Sequence, residues 1–355
     1  MMPFDAKLLL RRSARALAGF VVSAVALWLT LRGRDLNAIW RAIIGADYTY
    51  LLPFTVIVVA TYFARVVRWG ILLEPTARVP FARLNAASAV GFMAVLILPF
   101  RLGELARPYL VADGVQLRVS GALSSIVVER VVDGLFTSLV LVSALLAVPP
   151  EANALRLVRA GGVAVFLGFS AVLGFLFLAY RNRELAVSLA HRLVAPLSPR
   201  LAARISGMMD AFIHGLRVIP SRKGVAAFFA LTAFYWGMSG FAIHVLAQGF
   251  GFHLSAAATY AVLGVLVVGV MVPAGPGMVG TTQAAVVLGL SLFAPREAVD
   301  VRGNAFANVL WAAQFAIQVT LGLPFLWSRH LRSRGMLHVP AGAVTAELEA
   351  EEAKR

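Results

Sequence analysis

Long uncharged runs alternate with short charged segments along the whole chain. The longest run extends from Gly224 to Pro295 without one Asp, Glu, Lys or Arg. Most runs are close to the roughly 20 residues that a helix needs to cross the hydrocarbon core of a bilayer. We predict six crossings, near residues 14–31, 50–73, 120–148, 160–180, 224–247 and 303–327. The pattern therefore predicts an all-α, polytopic helical membrane protein.

Composition supports a membrane protein and excludes several other classes. Of the 355 residues, 60% are hydrophobic and 14% are charged, whereas a soluble domain has roughly a quarter charged residues. The net charge of +15 arises in short basic segments between apolar runs. This distribution favours contact with anionic lipid over binding of nucleic acid. Because the chain has no cysteine, disulfides, cysteine-ligated zinc and a cysteine nucleophile are excluded.

The basic residues also predict an orientation in the membrane. The strongest basic segment is 181–223, and further arginines precede the first crossing and follow the last one. Cytoplasmic loops carry such an excess of Lys and Arg. We therefore expect a multi-pass protein of the bacterial inner (plasma) membrane with cytoplasmic N- and C-termini. The N-terminus resembles a signal peptide, but no small-x-small cleavage site precedes Arg32, so an uncleaved first crossing is expected.

Two further apolar segments, about 84–113 and 256–293, are interrupted by Pro and Gly. We predict that each forms a re-entrant, broken hairpin. The order crossing, broken segment, crossing occurs twice, and one extra crossing between the copies inverts the second copy. Paired interrupted segments of this kind point to the binding site of a transporter.

This order predicts a single transmembrane domain, 1–340, followed by a polar C-terminal tail, 341–355. The domain would consist of repeat 1 (about 50–148), a linking span (160–180), a cytoplasmic amphipathic segment (181–223) and repeat 2 (about 224–327).

The first break, LPFRLGELARPYL, carries three charged residues at intervals of three. A helix here would present Arg101, Glu104 and Arg107 on one side. Pro99 can end the incoming helix, and Gly103 can let the backbone turn. Because irregular backbone is not tolerated against lipid, we expect the break to face protein or a water-filled cavity. A solvated cytoplasmic loop is the alternative.

The second break, VPAGPGMVGTTQ, contains G-x-G-x-x-G at Gly275, Gly277 and Gly280. A dinucleotide site would require a strand before these glycines, whereas the surrounding sequence is uncharged and long enough to enter a membrane. We interpret the stretch as a broken helix whose half-helix N-terminus favours an anion. That N-terminus would be formed by Gly277, Gly280, Thr281, Thr282 and Gln283.

Charged residues also interrupt two of the predicted crossings. Arg65 and Arg68 share one helix side, and Glu129 and Asp133 share another. Arg130 can pair with Asp133 at the i, i+3 spacing. Charges inside a membrane are costly and often mark a polar cavity. Snorkelling of the two arginines and a purely structural ion pair remain as alternatives.

At these residues the sequence resembles the lysylphosphatidylglycerol synthase transmembrane family, also called flippase-like membrane proteins. The shared motifs are the Arg-x-x-Arg-Trp that begins at Arg65 and the Pro-x-Arg-x-Gly-Glu-x-x-Arg-Pro of the first break. The Glu-Arg-x-x-Asp at 129–133 and the Pro-Gly-x-x-Gly-Thr of the second break also match. The resemblance covers about residues 10–330.

The resemblance implies two inverted repeats with re-entrant hairpins and movement of a lipid or lipid-linked group across the inner membrane. Many members carry Glu or His after the second glycine break, where this chain has Gln283. That difference argues against proton coupling at this position. Full synthases carry a large cytoplasmic transfer domain after the membrane part. About 28 residues follow the last predicted crossing here, so we expect a transporter and no enzyme activity.

The leading hypothesis is a lipid flippase or transporter that moves a phospholipid or another phosphate-bearing amphiphile by alternating access. The alternatives are an intramembrane transferase acting on a lipid phosphate and a non-catalytic subunit of an envelope-synthesis complex. We expect a membrane lipid as partner, no nucleic acid, no cofactor, no metal and no catalytic residue. The candidate substrate-binding residues are Arg65, Arg68, Arg101, Gly103, Glu104, Arg107, Glu129, Arg130, Asp133, Pro273, Gly277, Gly280, Thr281 and Gln283.

Overall fold

The computed structural model describes residues 6–98, 101, 103–112, 117, 119–146, 153–194, 221–272 and 274–327. The predicted tail, 341–355, and Pro273 lie outside these residues, and so does most of the predicted amphipathic segment 181–223.

Every long element within the described residues is an α-helix. The helices are α1 (Ala6–Leu31), α2 (Leu36–Ile44), α3 (Leu51–Leu73), α4 (Phe81–Ile97), α5 (Gly103–Ala112), α6 (Val119–Leu146), α7 (Asn153–Arg181), α8 (Arg183–Val194), α9 (Arg222–Gln248), α10 (Ala256–Val270), α11 (Thr281–Ser291) and α12 (Asn304–Gly322).

Short polar side chains fix the start of several helices. Asp35 accepts hydrogen bonds from two backbone N–H groups of α2, and Ser221 and Ser255 accept one each at the starts of α9 and α10. Such N-caps satisfy N–H groups that have no partner inside the helix. The polar residues between the apolar runs therefore determine where the helices begin.

Within the described residues, four helical segments are long and apolar enough to cross a membrane. They are Tyr48–Leu73, Ala160–Ala179, Arg222–Gln248 and Arg296–Trp327. Helix α6 has 28 residues, which exceeds the length of one crossing, although three charged residues interrupt its apolar sequence. The protein is thus an all-α, multi-pass membrane protein. Helices also cover the remaining predicted crossing at 14–31, and the total of six crossings stays a prediction.

Each of the two broken segments folds into a pair of short antiparallel helices. In hairpin 1, formed by α4 and α5, Gly103 lies against Ala94 and the Arg107 side chain lies against Gly91. In hairpin 2, formed by α10 and α11, Gly269 lies against Ala285. The four helices have 10 to 17 residues each, and none reaches the roughly 20 residues of a full crossing.

The contacts of the two halves of the chain correspond to each other. Helix α3 packs on α9, which is its counterpart in the second half. Helix α6 packs on α5 and α10, and its counterpart α12 packs on α11 and α4. If each helix in this set is replaced by its counterpart in the other half, the same set of contacts results. Helix α1 lies outside the correspondence and packs against hairpin 2.

Helices α3 and α9 run antiparallel to each other. At one end, the N–H of Asp47 donates to the carbonyl of Gly249 at 2.9 Å. Towards the other end of the same pair, Arg68 Nη1 lies 3.3 Å from Thr232 Oγ1. Two corresponding helices of the two halves therefore point in opposite directions at the centre of the molecule.

Candidate functional site

A cluster of charged side chains lies between α3, α5, α6 and α9. We define the charged cluster as Arg65, Arg68, Arg107, Glu129, Arg130 and Asp133. Glu129 lies about 15 Å along α6 from its first residue, at 1.5 Å rise per residue. The sequence predicted all six residues as site residues, and the structure brings them together.

Arg68 is the most buried member of the charged cluster. Its side chain has no exposed surface. Nη1 and Nη2 donate to the two carboxylate oxygens of Asp133 at 2.5 and 2.9 Å, and Nη2 also donates to Glu129 at 3.1 Å. Two parallel N–H···O bonds of this kind fix both orientation and distance. The alternative that Arg68 snorkels to the membrane surface is therefore wrong.

The two carboxylates of α6 are surrounded by donors. Glu129 lies 2.7 Å from Arg130 Nη2 and 3.4 Å from Arg107 Nη1, in addition to its contact with Arg68. Asp133 lies 3.2 Å from Arg130, which confirms the predicted i, i+3 pair. Asp133 also accepts a hydrogen bond from Trp236 Nε1 at 3.1 Å. Each carboxylate is therefore contacted by at least two arginines.

Arg107 is buried but only partly neutralised. It is 2% exposed, and its contacts with Glu129, at 3.4 and 3.5 Å, are long for charge-assisted hydrogen bonds. Among the described residues, its Nε and Nη2 have no hydrogen-bond partner. The guanidinium carbon lies 4.2 Å from the ring centroid of Trp69 and 4.6 Å from that of Phe92. Aromatic faces thus hold this cation in place while leaving N–H groups unused.

Arg65 also contacts aromatic rings, and it shares one of them, Phe92, with Arg107. Its guanidinium carbon is 3.8 Å from the centroid of Phe92 and 5.3 Å from that of Tyr235. Its buried Nε has no hydrogen-bond partner, and no carboxylate among the described residues forms an ion pair with it. Among the described residues, the direct contacts of the Arg65 guanidinium are therefore with aromatic rings.

The charged cluster contains four guanidiniums and two carboxylates, so two positive charges are not balanced. Unbalanced charge in a low-dielectric environment is strongly unfavourable. This surplus, in which Arg107 is buried and Arg65 is half-buried, is therefore suited to an anionic ligand.

Sequence reasoning missed the aromatic and polar residues that complete this site. Phe92 and Trp69 come from hairpin 1 and α3, and Tyr235, Trp236 and Thr232 come from α9. Charged residues gave the sequence signal for the site, and α9 carries none after Lys223. The Tyr-Trp pair in the middle of an otherwise uncharged stretch of α9 was the available signal, because both side chains carry a polar group that requires a partner.

The tip of hairpin 1 differs from its prediction. Gly103 is the first residue of α5, and the turn is made by Arg101, which has φ +57°. Gly103 is required because a β-carbon there would overlap the backbone of Ala94 and Val95. Arg101 precedes α5 and pairs with Glu104 at 2.9 Å, whereas Arg107 contacts Glu129. Arg101, Glu104 and Arg107 therefore do not line one side of a single helix. Arg101 and Glu104 form a separate ion pair at the tip of hairpin 1.

The N-terminus of α11, the second helix of hairpin 2, packs against α1. Gln283 Oε1 accepts a hydrogen bond from the N–H of Gly280 at 2.7 Å, and a β-carbon at Gly280 would overlap the backbone of Ser23 in α1. The Thr281 and Thr282 hydroxyls donate to the carbonyl of Met278. The predicted half-helix N-terminus thus forms, but α1 packs against it and Gln283 accepts from the N–H of Gly280.

The tips of the two hairpins meet. Arg101 Nη1 donates to the carbonyl of Val270 at 3.3 Å, and Gly277 lies next to the carbonyl of Leu96. Gly277, with φ +71°, is fixed by Trp311 of α12, whose Nε1 donates to its carbonyl at 2.7 Å. The structure therefore joins the two predicted breaks through Arg101 and leaves Gly280, Thr281 and Gln283 apart from the charged cluster.

Replacement of Gly91 by alanine is expected to displace Arg107 without changing any charge. The new β-carbon would overlap Cγ of Arg107, and overpacking of this kind costs about 1–3 kcal/mol. We expect a lower midpoint of thermal unfolding for the purified protein in detergent. Gly168→Ala in α7 is the matched control, because its β-carbon meets nothing within 4 Å. Equal midpoints for both variants would contradict the close contact.

A known family matches most of the chain. The family is described as the lysylphosphatidylglycerol synthase TM region, and its sequence profile matches residues 16–326. The match includes both hairpins and the whole charged cluster. Among curated proteins, none is similar enough to the chain to count as a match.

Proposed function

This chain belongs to the lysylphosphatidylglycerol synthase TM-region family, a family of lipid-related membrane proteins, and from that membership we propose that it translocates a phosphate-bearing lipid. The lipid is the transported substrate, and the protein acts as a transporter rather than as an enzyme. We further propose that it lies in the bacterial inner membrane with both termini in the cytoplasm.

The observation that carries this proposal is the surplus of guanidinium groups over carboxylates in the charged cluster. Charged residues inside membrane-spanning helices are expensive and mark the path of a polar substrate. A structural ion pair would need equal numbers of cations and anions, whereas the charged cluster holds four arginines and two acids. Arginine is also the side chain best suited to phosphate, because its planar donors match two phosphate oxygens.

The architecture supports movement of the lipid between the two leaflets. We propose that hairpins 1 and 2 enter the membrane from opposite sides, as an inverted repeat would require. The antiparallel course of α3 and α9 and the exchangeable contacts of the two halves support this arrangement. Transporters of this kind bind the substrate at the repeat interface and open it to each side in turn.

The meeting point of the two tips is the proposed gate. The contact between Arg101 and the carbonyl of Val270 joins hairpin 1 to hairpin 2, and the same arginine pairs with Glu104. Separation of the tips would open the charged cluster towards one side of the membrane. Arg101 and Glu104 are therefore assigned to control of access, and Arg107 to binding of the head group.

Replacement of Arg107 by glutamine is expected to lower the rate of lipid translocation by tenfold or more. A hydrogen bond to a charged group contributes about 1.5–3 kcal/mol, and Glu129 would keep Arg68 and Arg130 as partners. The measurement uses proteoliposomes that contain acyl-labelled fluorescent phosphatidic acid or phosphatidylglycerol. A membrane-impermeant quencher then reports the fraction of label that reaches the outer leaflet.

The matched control is Arg78→Gln, which removes the same charge from an exposed position. It should translocate lipid at the wild-type rate. Wild-type rates in Arg107→Gln would contradict the role of this residue. Protection of both labels equal to that in empty vesicles, with folded wild-type protein, would contradict lipid translocation as a whole.

A further inference from the structure

The four arginines of the charged cluster differ in how far their charge is already neutralised. Arg68 and Arg130 each contact both carboxylates of α6 at 3.2 Å or less. Arg107 makes only the long contact with Glu129, and Arg65 makes none with the described acids. Two arginines therefore orient the acids, and two arginines remain available to a ligand.

Each acid of the site, in contrast, already forms an ion pair with at least one arginine. Glu129 and Asp133 each contact at least two arginines, and Glu104 pairs with Arg101. A head group that carries an ammonium would require an acid without such a partner. Within the described part of this site, none is available.

The two available arginines are held on the same ring. The guanidinium carbons of Arg65 and Arg107 lie 3.8 and 4.6 Å from the centroid of Phe92. Stacking on aromatic faces fixes a guanidinium plane and leaves its N–H edge free to donate. In Arg107 the unused donors are Nε and Nη2, and in Arg65 the buried Nε is unused. One ring thus fixes both guanidiniums, and their unused donors lie in the same region of the charged cluster.

We propose that the head group is a terminal phosphate with two negative charges, as in a lipid phosphomonoester or diphosphate, and that Arg65 and Arg107 bind it. This inference rests on the proposed function and specifies its substrate class. A phosphomonoester carries about −1.5 to −2 charge at neutral pH, which balances the two surplus positive charges. A phosphodiester head group carries a single negative charge and leaves one guanidinium unbalanced.

The test compares a lipid phosphomonoester with a lipid phosphodiester and with a phosphomonoester that has no acyl chains. The midpoint of thermal unfolding of the purified full-length protein is measured in detergent with increasing phosphatidic acid, phosphatidylglycerol or glycerol 3-phosphate. We expect phosphatidic acid to reach half of its maximal stabilisation at a concentration about tenfold or more below that of phosphatidylglycerol. Glycerol 3-phosphate supplies the same phosphate without acyl chains, and we expect a much weaker effect.

Replacement of Arg65 by glutamine should remove this preference. The variant keeps Arg107 but loses one of the two surplus charges, so phosphatidic acid and phosphatidylglycerol should act at similar concentrations. Arg78→Gln, at an exposed position, should retain the wild-type preference. Retention of the preference by Arg65→Gln would contradict the assignment of this residue.

The other outcomes separate the inference from the function on which it rests. Equal responses to both lipids, or a stronger response to phosphatidylglycerol, would overturn the dianionic head group and leave lipid translocation standing. If glycerol 3-phosphate stabilises the protein as well as phosphatidic acid does, the ligand need not be a lipid. That result would overturn the proposal of a lipid ligand but support recognition of a phosphomonoester. No stabilisation by any of the three ligands would overturn the inference, and only the vesicle assay would then decide on translocation.

Discussion

Replacement of Arg68 by methionine is expected to cause the largest loss of stability of any single substitution in the charged cluster. Removal of one partner from a buried ion pair typically costs about 3–5 kcal/mol, because the other charge is left uncompensated. Here Asp133 would lose both of its short contacts with Arg68, and Glu129 would lose one. We expect a marked fall in the unfolding midpoint, measured in detergent by tryptophan fluorescence.

Two controls distinguish the loss of the buried ion pairs of Arg68 from the general effect of removing an arginine. Arg41→Met removes an arginine from an exposed pair with Asp35 at 3.9 Å, and exposed pairs contribute only about 0–1 kcal/mol. The double variant Arg68→Met/Asp133→Asn also removes the charge of the acid that loses its two shortest contacts, so it should recover part of the lost stability. A double variant less stable than Arg68→Met alone would contradict the electrostatic explanation.

Replacement of Gly280 by alanine is expected to separate α1 from hairpin 2. Gly280 has φ +84°, and left-handed backbone costs a residue with a β-carbon about 1–2 kcal/mol. The β-carbon would also overlap the carbonyl of Ser23 and lie 2.8 Å from the backbone nitrogen of Leu27. Overpacking adds about 1–3 kcal/mol, so the unfolding midpoint should fall well below that of the wild type.

Gly33 provides the matched control for this prediction. It also has positive φ, at +72°, but a β-carbon there would meet nothing within 4 Å. Gly33→Ala should therefore show the cost of the backbone conformation alone. If Gly280→Ala and Gly33→Ala lower the midpoint equally, the contact between α1 and hairpin 2 contributes nothing, and the covered helix start described above is not a rigid feature.

The two halves of the chain illustrate how far sequence carries the fold. The hydropathy pattern predicted where helices lie and where they break, because a chain in lipid must satisfy its backbone hydrogen bonds locally. The same reasoning found Arg65, Arg68, Glu129 and Asp133, since a charge in an apolar run is conspicuous. It did not find Tyr235 or Trp236, because aromatic residues in a crossing are ordinary until a charged partner is known.

The two broken segments show more clearly what neighbouring residues in the sequence cannot predict. Gly103 was predicted to supply the turn of hairpin 1, yet its small size serves the close contact between two helices, and Arg101 adopts the left-handed conformation. At the second break, Gly280 does have positive φ. However, the predicted anion site is covered by α1, a helix more than 250 positions away in the sequence.

The sequence by itself determined the all-α membrane class, the positions of the breaks and the identity of the charged residues. These properties depend on composition and spacing within one helix length. Only the tertiary structure decided which arginine neutralises which acid and which arginines remain available. Arg68 and Asp133 are 65 residues apart, and their contact arises from the packing of α3 on α6. The physical reason is that a buried charge is stabilised by whatever lies within a few ångströms of it, and sequence spacing does not specify that neighbourhood.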